Sequence, residues 1–349
     1  MFYSKLGILM VFFTLTFFDS TAETNLPLMP YPKEVKLGSG KFRLDKDFTL
    51  SVKNSDEKVF AYATRFLRRL DERTGLFFSQ DFITAVNDSS DTQLEISFCK
   101  SEELKLGIDE SYQLKITPGK IDLSAESNFG AMHGLETLLQ LLMVDEDGYY
   151  FPAVEINDEP RFPWRGLLID ICRHFMPMDV LKRNIDGMAA VKMNVLHLHL
   201  SEDQGFRIES KVYPKLQELG SDGLYYTQTE MKEIIKYAGD RGIRIIPEFD
   251  VPGHTTSWFV GYPELASAPG PYQIERNWGV MDPTINPTKE ETYEFLDNLF
   301  GEMTALFPDE YFHIGGDENN GKQWDANDSI QEFMKENNIK DNHDLQAYF

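Results

Sequence analysis

From residue 160 onward the sequence alternates between a short apolar run and a longer segment of helical periodicity, and it does so four times. "GLLIDIC" leads to "MDVLKRNIDGMAAVK", "NVLHLHL" to "TQTEMKEIIKYAGDR", "GIRIIPEFD" to "TKEETYEFLDNLFGEMTALF", and "EYFHIGG" to "DSIQEFMKENNI". The runs are too apolar to face water on one side, so they predict a parallel sheet covered by helices. In barrels of this class the reactive groups collect where the strands end. Here each strand end is polar: "DICRH", "HLSEDQ", "PEFDVPGH" and "HIGGDE". A doubly wound sheet alternates in the same way, but no GxGxxG or P-loop follows any of these strands. The barrel reading is therefore preferred.

The segment before "NDEPRFPWRG" has a different rhythm. "DEKVFAYATRFLRRLDERTG" places Val59, Ala63, Phe66, Leu67 and Leu70 on one helical face and stops at Gly75. "LEISF" alternates, and "YQLKITPGKIDLSAE" alternates on both sides of Pro118-Gly119, a hairpin signature. "NFGAMHGLETLLQLLMV" reads as a second amphipathic helix, with His133 a structural residue on it. The expected organisation is a leader at 1–22, a small α+β domain at 23–158, and the N-terminal part of a TIM-barrel domain at 159–349.

The leader expectation rests on Lys5, an apolar run from Leu6 to Phe18, and small residues at Ser20 and Ala22. That is the shape of a secretory signal cleaved after Ala22. A membrane span needs about 20 apolar residues, so the expected location is secreted or periplasmic, with no span. The formal charge is −23, which repels nucleic acid and anionic lipid and leaves neutral or cationic ligands. The two cysteines, Cys99 and Cys172, are too few for a disulfide framework and are expected to be small buried residues.

Strand parity indicates which side chains turn inward. Leu196, Leu198 and Leu200 share one face, while Val195, His197, His199 and Ser201 share the other. Glu248 and Asp250 share a face, as do His313, Gly315 and Asp317, which leaves Glu318 out of step. Gly315 and Gly316 permit a bend or bulge there that turns both acids toward one place. The competing reading is an exposed acidic turn.

The combination of "RGLLIDICRHF", "MNVLHLHLSEDQGFRIE", "RIIPEFDVPGHT", "NPTKEETYEFL" and "YFHIGGDE" resembles family 20 glycoside hydrolases, the β-N-acetylhexosaminidases, from about residue 160 to 349. The preceding α+β domain also matches what such enzymes carry. The resemblance implies a (β/α)8 TIM-barrel catalytic domain, of which about four β/α units are present here. It also implies hydrolysis of terminal non-reducing β-linked N-acetylhexosamine in oligosaccharides or glycoconjugates. The mechanism it implies is substrate-assisted and retaining, with the 2-acetamido oxygen attacking the anomeric carbon to form an oxazolinium. By the motif, Glu318 is the general acid and base, and Asp317 holds the acetamido N–H while staying ionised. Arg173 binds sugar hydroxyls, and His254 and Glu202 form a supporting relay; many members have aspartate where Glu202 stands, and Asp203 is the fallback. No metal or cofactor is expected. Trp258, Trp278 and Trp324 either line sugar sites or fill core.

Two rival readings stand beside this one. A metal-dependent hydrolase would use His197 and His199 with His254, His313 and Asp317. A non-catalytic fragment or carbohydrate-binding remnant is the other. A closed barrel wants eight strand–helix units in about 250 residues, and about 190 residues follow Pro160. The expectation is that this polypeptide alone is inactive or poorly folded, and that the active enzyme is a longer product.

Overall fold

The structure is a computed structural model and describes residues 26–53, 56–79 and 92–349. The expected leader lies outside the described residues, and no helix among them is long and apolar enough to cross a membrane.

The first part of the chain folds into a seven-stranded sheet. Its strands are β1 (Glu34–Arg43), β2 (Leu50–Val52), β3 (Leu94–Lys100), β4 (Tyr112–Ile116), β5 (Ile121–Ser127), β6 (Met143–Asp145) and β7 (Gly148–Asp158). They lie in the order β1-β7-β4-β5-β3-β2, with β6 on β7. Helices α1 (Glu57–Thr74) and α2 (Asn128–Gln140) belong to this unit. α1 starts where the Asp56 carboxylate accepts from the amides of Lys58 and Val59, and stops at left-handed Gly75. It buries the predicted apolar face. The β4–β5 hairpin closes with Thr117 N–H donating to the Lys120 carbonyl. α2 departs from expectation: all its residues but Gln140 are buried, so it is a helix enclosed on all sides rather than an amphipathic cover.

The second part is built on a parallel sheet of β8 (Gly166–Asp170), β9 (Val195–Glu202) and β11 (Arg244–Phe249), with short β10 (Gly205–Phe206) turned back against β9. The helices are α3 (Met178–Ala190), α4 (Lys215–Gly220), α5 (Gln228–Gly239), α6 (Thr256–Gly261), α7 (Glu290–Leu306), α8 (Lys322–Asp325), α9 (Asp328–Glu336) and α10 (Asn342–Tyr348). Leu196, Leu198 and Leu200 are fully buried in the core shared with these helices, as parity required. The fourth predicted strand is reduced to a single bridge between His313 and Glu248. His313 still exchanges backbone bonds with Pro247 and Phe249. Gly315 and Gly316 then take φ of +65° and +104°, which ends the extended run. Phe312 stacks on Phe249 on the helix side.

Cys172 is buried and Cys99 is exposed, and both are free thiols; the expectation of two buried residues holds for Cys172 alone. Trp258 and Trp324 are fully buried, so they fill core, whereas Trp278 is exposed.

Candidate active site

The strand ends converge. β8 runs into Asp170, whose carboxylate accepts from the amides of Cys172 and Arg173 and pairs with the Arg173 guanidinium at 2.9 Å. The second guanidinium nitrogen of Arg173 lies 3.1 Å from Glu202 Oε2 at the end of β9. Glu202 is almost wholly buried, and its other oxygen is 2.8 Å from His254 Nδ1. His254 Nε2 is in turn 3.4 Å from Glu318 Oε2. The geometry thus joins Glu318, His254, Glu202 and Arg173 in one line of contacts. The fallback acid is close but differently engaged: Asp203 Oδ2 stands 3.5 Å from His254 Nδ1, while its Oδ1 accepts from Thr256.

Backbone conformation brings the neighbouring acids together. Gly315 must be glycine on two counts. Its φ is left-handed, and a Cβ there would fall 1.8 Å from Asp250 Oδ1. The same Asp250 oxygen accepts from the Gly316 amide at 2.8 Å. Glu318 itself adopts φ +53°, and His254 adopts +56°, conformations that non-glycine residues take only when their surroundings enforce them. The result cancels the parity mismatch: His254, Asp317 and Glu318 each offer an atom within 4.8 Å of the others. Asp317 also shares a cluster of the same dimension with Glu248 and Asp250.

The electrostatics follow from this alternation of acids and imidazoles. Burial works against the charge on His254, but Asp203 and Glu202 push it up to about 11. Burial likewise opposes His199, yet Glu202 at 3.1 Å and Glu248 at 3.0 Å raise it to about 10. Glu202 is buried too, and the bonds from His199 and His254 overcome that and hold it at about 2. Glu248 stays well below the usual range, because His197 and His199 outweigh its burial. Asp250 goes the other way. Burial raises it to about 8 against the Gly316 N–H, and Asp317 adds to the rise.

Sequence reasoning set aside three members of this network. Strand parity places His199 on the inward face as an interior residue, and it notes Glu248 and Asp250 only for sharing a face. Parity carried the signal, since it put His197, His199, Glu248 and Asp250 on the inward side. The residues of the metal reading fall into separate groups: His197 and His313 lie with Glu248, and His254 lies with Asp317 and Glu318. The His199 and His254 imidazoles, held protonated by the neighbouring carboxylates, have no lone pair to give, so a cation would have to displace those protons first.

The profile of glycosyl hydrolase family 20, catalytic domain, matches residues 162–349, and that of the same family's domain 2 matches residues 25–159. The β-hexosaminidase subunit A2 of Dictyostelium discoideum is 39% identical over 337 residues, covering 95% of this chain and 60% of the relative. A solved chitobiase of Flavobacterium johnsoniae superposes with a TM-score of 0.89 at 54% identity, covering 93% of this chain and 49% of that one. An exo-β-N-acetylglucosaminidase of Vibrio harveyi, solved in complex with N-acetylglucosamine, gives 0.76 at 30% identity, over 93% and 52%. The chain thus spans between half and three-fifths of the length of these relatives. Both the small α+β unit and the first strand–helix units of a (β/α)8 barrel are accounted for, and on these matches the chain belongs to glycosyl hydrolase family 20.

Proposed function

We propose that this chain carries the acid/base machinery of a β-N-acetylhexosaminidase that removes terminal non-reducing β-linked N-acetylhexosamine from oligosaccharides or glycoconjugates. The observation that carries the reading is the run of contacts from Glu318 through His254 to Glu202, with Asp317 beside it. In this reading Glu318 gives its proton to the leaving oxygen while the 2-acetamido oxygen attacks the anomeric carbon. The charge left on Glu318 is met by the His254 imidazolium, which Glu202 and Asp203 keep protonated. Asp317 accepts the acetamido N–H and offsets the positive charge of the oxazolinium. Glu318 then takes a proton from the incoming water. Arg173, fixed by Asp170 and Glu202, reaches the sugar hydroxyls. The division into a leader at 1–22, an α+β domain at 23–158 and a barrel part at 159–349, and a secreted or periplasmic location, belong to the same proposal. The net charge of −23 favours glycan over nucleic acid as partner.

The test is turnover of an aryl N-acetyl-β-glucosaminide by the chain and by Glu318→Gln, together with calorimetric binding of a thiazoline mimic of the oxazolinium. Loss of general acid catalysis should lower turnover by about 10²–10⁴ while thiazoline binding persists. Equal turnover by both proteins sinks the assignment. A second reading, a non-catalytic carbohydrate-binding chain, is favoured by exposure: the Glu318 side chain is 52% accessible, and Leu168 and Ile314 are more than half exposed. Thiazoline binding without turnover selects it.

A further inference from the structure

At the opposite end of the parallel strands from Glu318 lies a cavity of about 580 Å³ between the two sheets, a volume in the range of small-molecule sites. Its walls come from both parts of the chain. Arg165 stands just before β8 and Lys192 just before β9, while Tyr112 lies on β4 and His133 on α2. The charged groups of its floor are matched in pairs: Arg165 with Glu110 at 2.5 Å, and Lys192 with Asp158 at 3.0 Å. Lys33 and Glu159 pair at the rim. Three features are left over. The His133 ring is 94% buried, lines the cavity, and has no hydrogen-bond partner among the described residues. A neutral imidazole open to the cavity in this way can offer an occupant one donor contact and one acceptor contact. The second is Arg161, exposed at the mouth with its guanidinium 4.7 Å from the Phe162 ring. Among the described residues it has no carboxylate partner. Lys192 donates to Tyr112 and Asp158, which leaves its third N–H free.

We propose that this cavity is a second, non-catalytic binding site for a small hydroxylated carboxylic acid of the sugar-acid class. The carboxylate pairs with Arg161, the surplus cation of the lining, in a chain that is otherwise strongly acidic. The body of the ligand rests on the Phe162 face and the neighbouring prolines Pro30 and Pro160. Its hydroxyls reach inward to His133, which can both donate and accept, and to the free N–H of Lys192. A neutral sugar leaves Arg161 unmatched, and a simple carboxylate leaves His133 unmatched. The site needs both functions in one molecule.

The experiment is calorimetric titration of the full chain with D-glucuronate, alongside D-glucose and acetate. Saturable binding of glucuronate alone is expected. Arg161→Gln, at an exposed position, and His133→Leu should each weaken it by about tenfold, the loss that one charge-assisted or buried hydrogen bond represents. His133→Gln, which keeps a donor and an acceptor, should recover most of the affinity lost in His133→Leu. Glu318→Gln should bind glucuronate as the wild type does, so this result is independent of the catalytic proposal. Absence of saturable binding overturns the inference. So does equal affinity for glucose or acetate, indifference to both Arg161→Gln and His133→Leu, or loss of binding in Glu318→Gln.

Discussion

Replacing Gly315 by alanine tests how the two acids come to share a pocket. The backbone there has φ +65°, and a left-handed conformation costs an L-residue about 1–2 kcal/mol. The added Cβ would fall 1.8 Å from Asp250 Oδ1, 2.2 Å from its Cγ and 2.8 Å from its Cα, so Asp250 must move. Overpacking of this kind costs about 1–3 kcal/mol. The combined destabilisation should be about 2–5 kcal/mol. It should also break the 2.8 Å bond from Gly316 N–H to Asp250 that holds the bend. The assay is urea unfolding followed by tryptophan fluorescence, in a double-mutant cycle with Asp250→Ala. Removing the carboxylate relieves the closest two contacts, so Gly315→Ala should cost at least about 1 kcal/mol less in that background, well beyond the roughly 0.5 kcal/mol expected of independent sites. Additive costs would refute the claim that Asp250 excludes a side chain at 315. A cost below about 1 kcal/mol in the wild type would refute the backbone argument as well.

Two further outcomes follow from the charges. The raised imidazoles of His254 and His199, at about 11 and about 10 against an ordinary 6.5, contribute stability that is complete below about pH 6.5 and is lost as the pH climbs through 10 to 11. Glu202, held at about 2 against 4.5, contributes above pH 4.5 and loses its share as the pH falls through 2. His199→Gln should therefore flatten the alkaline decline in urea midpoints between pH 7 and 10, and an unchanged decline would show that His199 is not the imidazolium clamped by Glu202 and Glu248. At the start of β11, Arg244 meets Asp309 through two bonds of 2.7 Å, and both side chains are buried. Asp309→Ala leaves that guanidinium uncompensated and should cost about 3–5 kcal/mol in a thermal melt, whereas a change under about 1 kcal/mol would mean that water replaces the carboxylate.

Much of the architecture was legible because it depends on local periodicity. The first three strand–helix alternations, the Leu196–Leu198–Leu200 face and the polar strand ends need only near neighbours in sequence, whereas the fourth expected strand is reduced to the bridge at His313. β1 and β7 escaped the reading for a local reason too: β1 carries a register shift between Leu37 and Lys41, where "GSG" interrupts alternation. What the sequence could not disclose is contact between residues far apart along the chain. Glu202 and His254 are 52 residues apart, and Asp250 and Gly316 are 66 apart; no periodicity spans such gaps. Parity even argued against Glu318, since a regular strand sends neighbours to opposite faces. The fold overrides parity with three departures within four residues, left-handed Gly315 and Glu318 and the positive φ of Gly316, while His254 takes the same unusual conformation on the facing loop. Two non-glycine residues at positive φ, 3.4 Å apart across two loops, are unfavourable taken singly. They persist because Glu202 and Asp203 hold the His254 side chain and the Asp250 carboxyl accepts the Gly316 N–H, so the conformation of the acid pair is set jointly by the polar groups of the strand ends and by the glycines that let the backbone approach them.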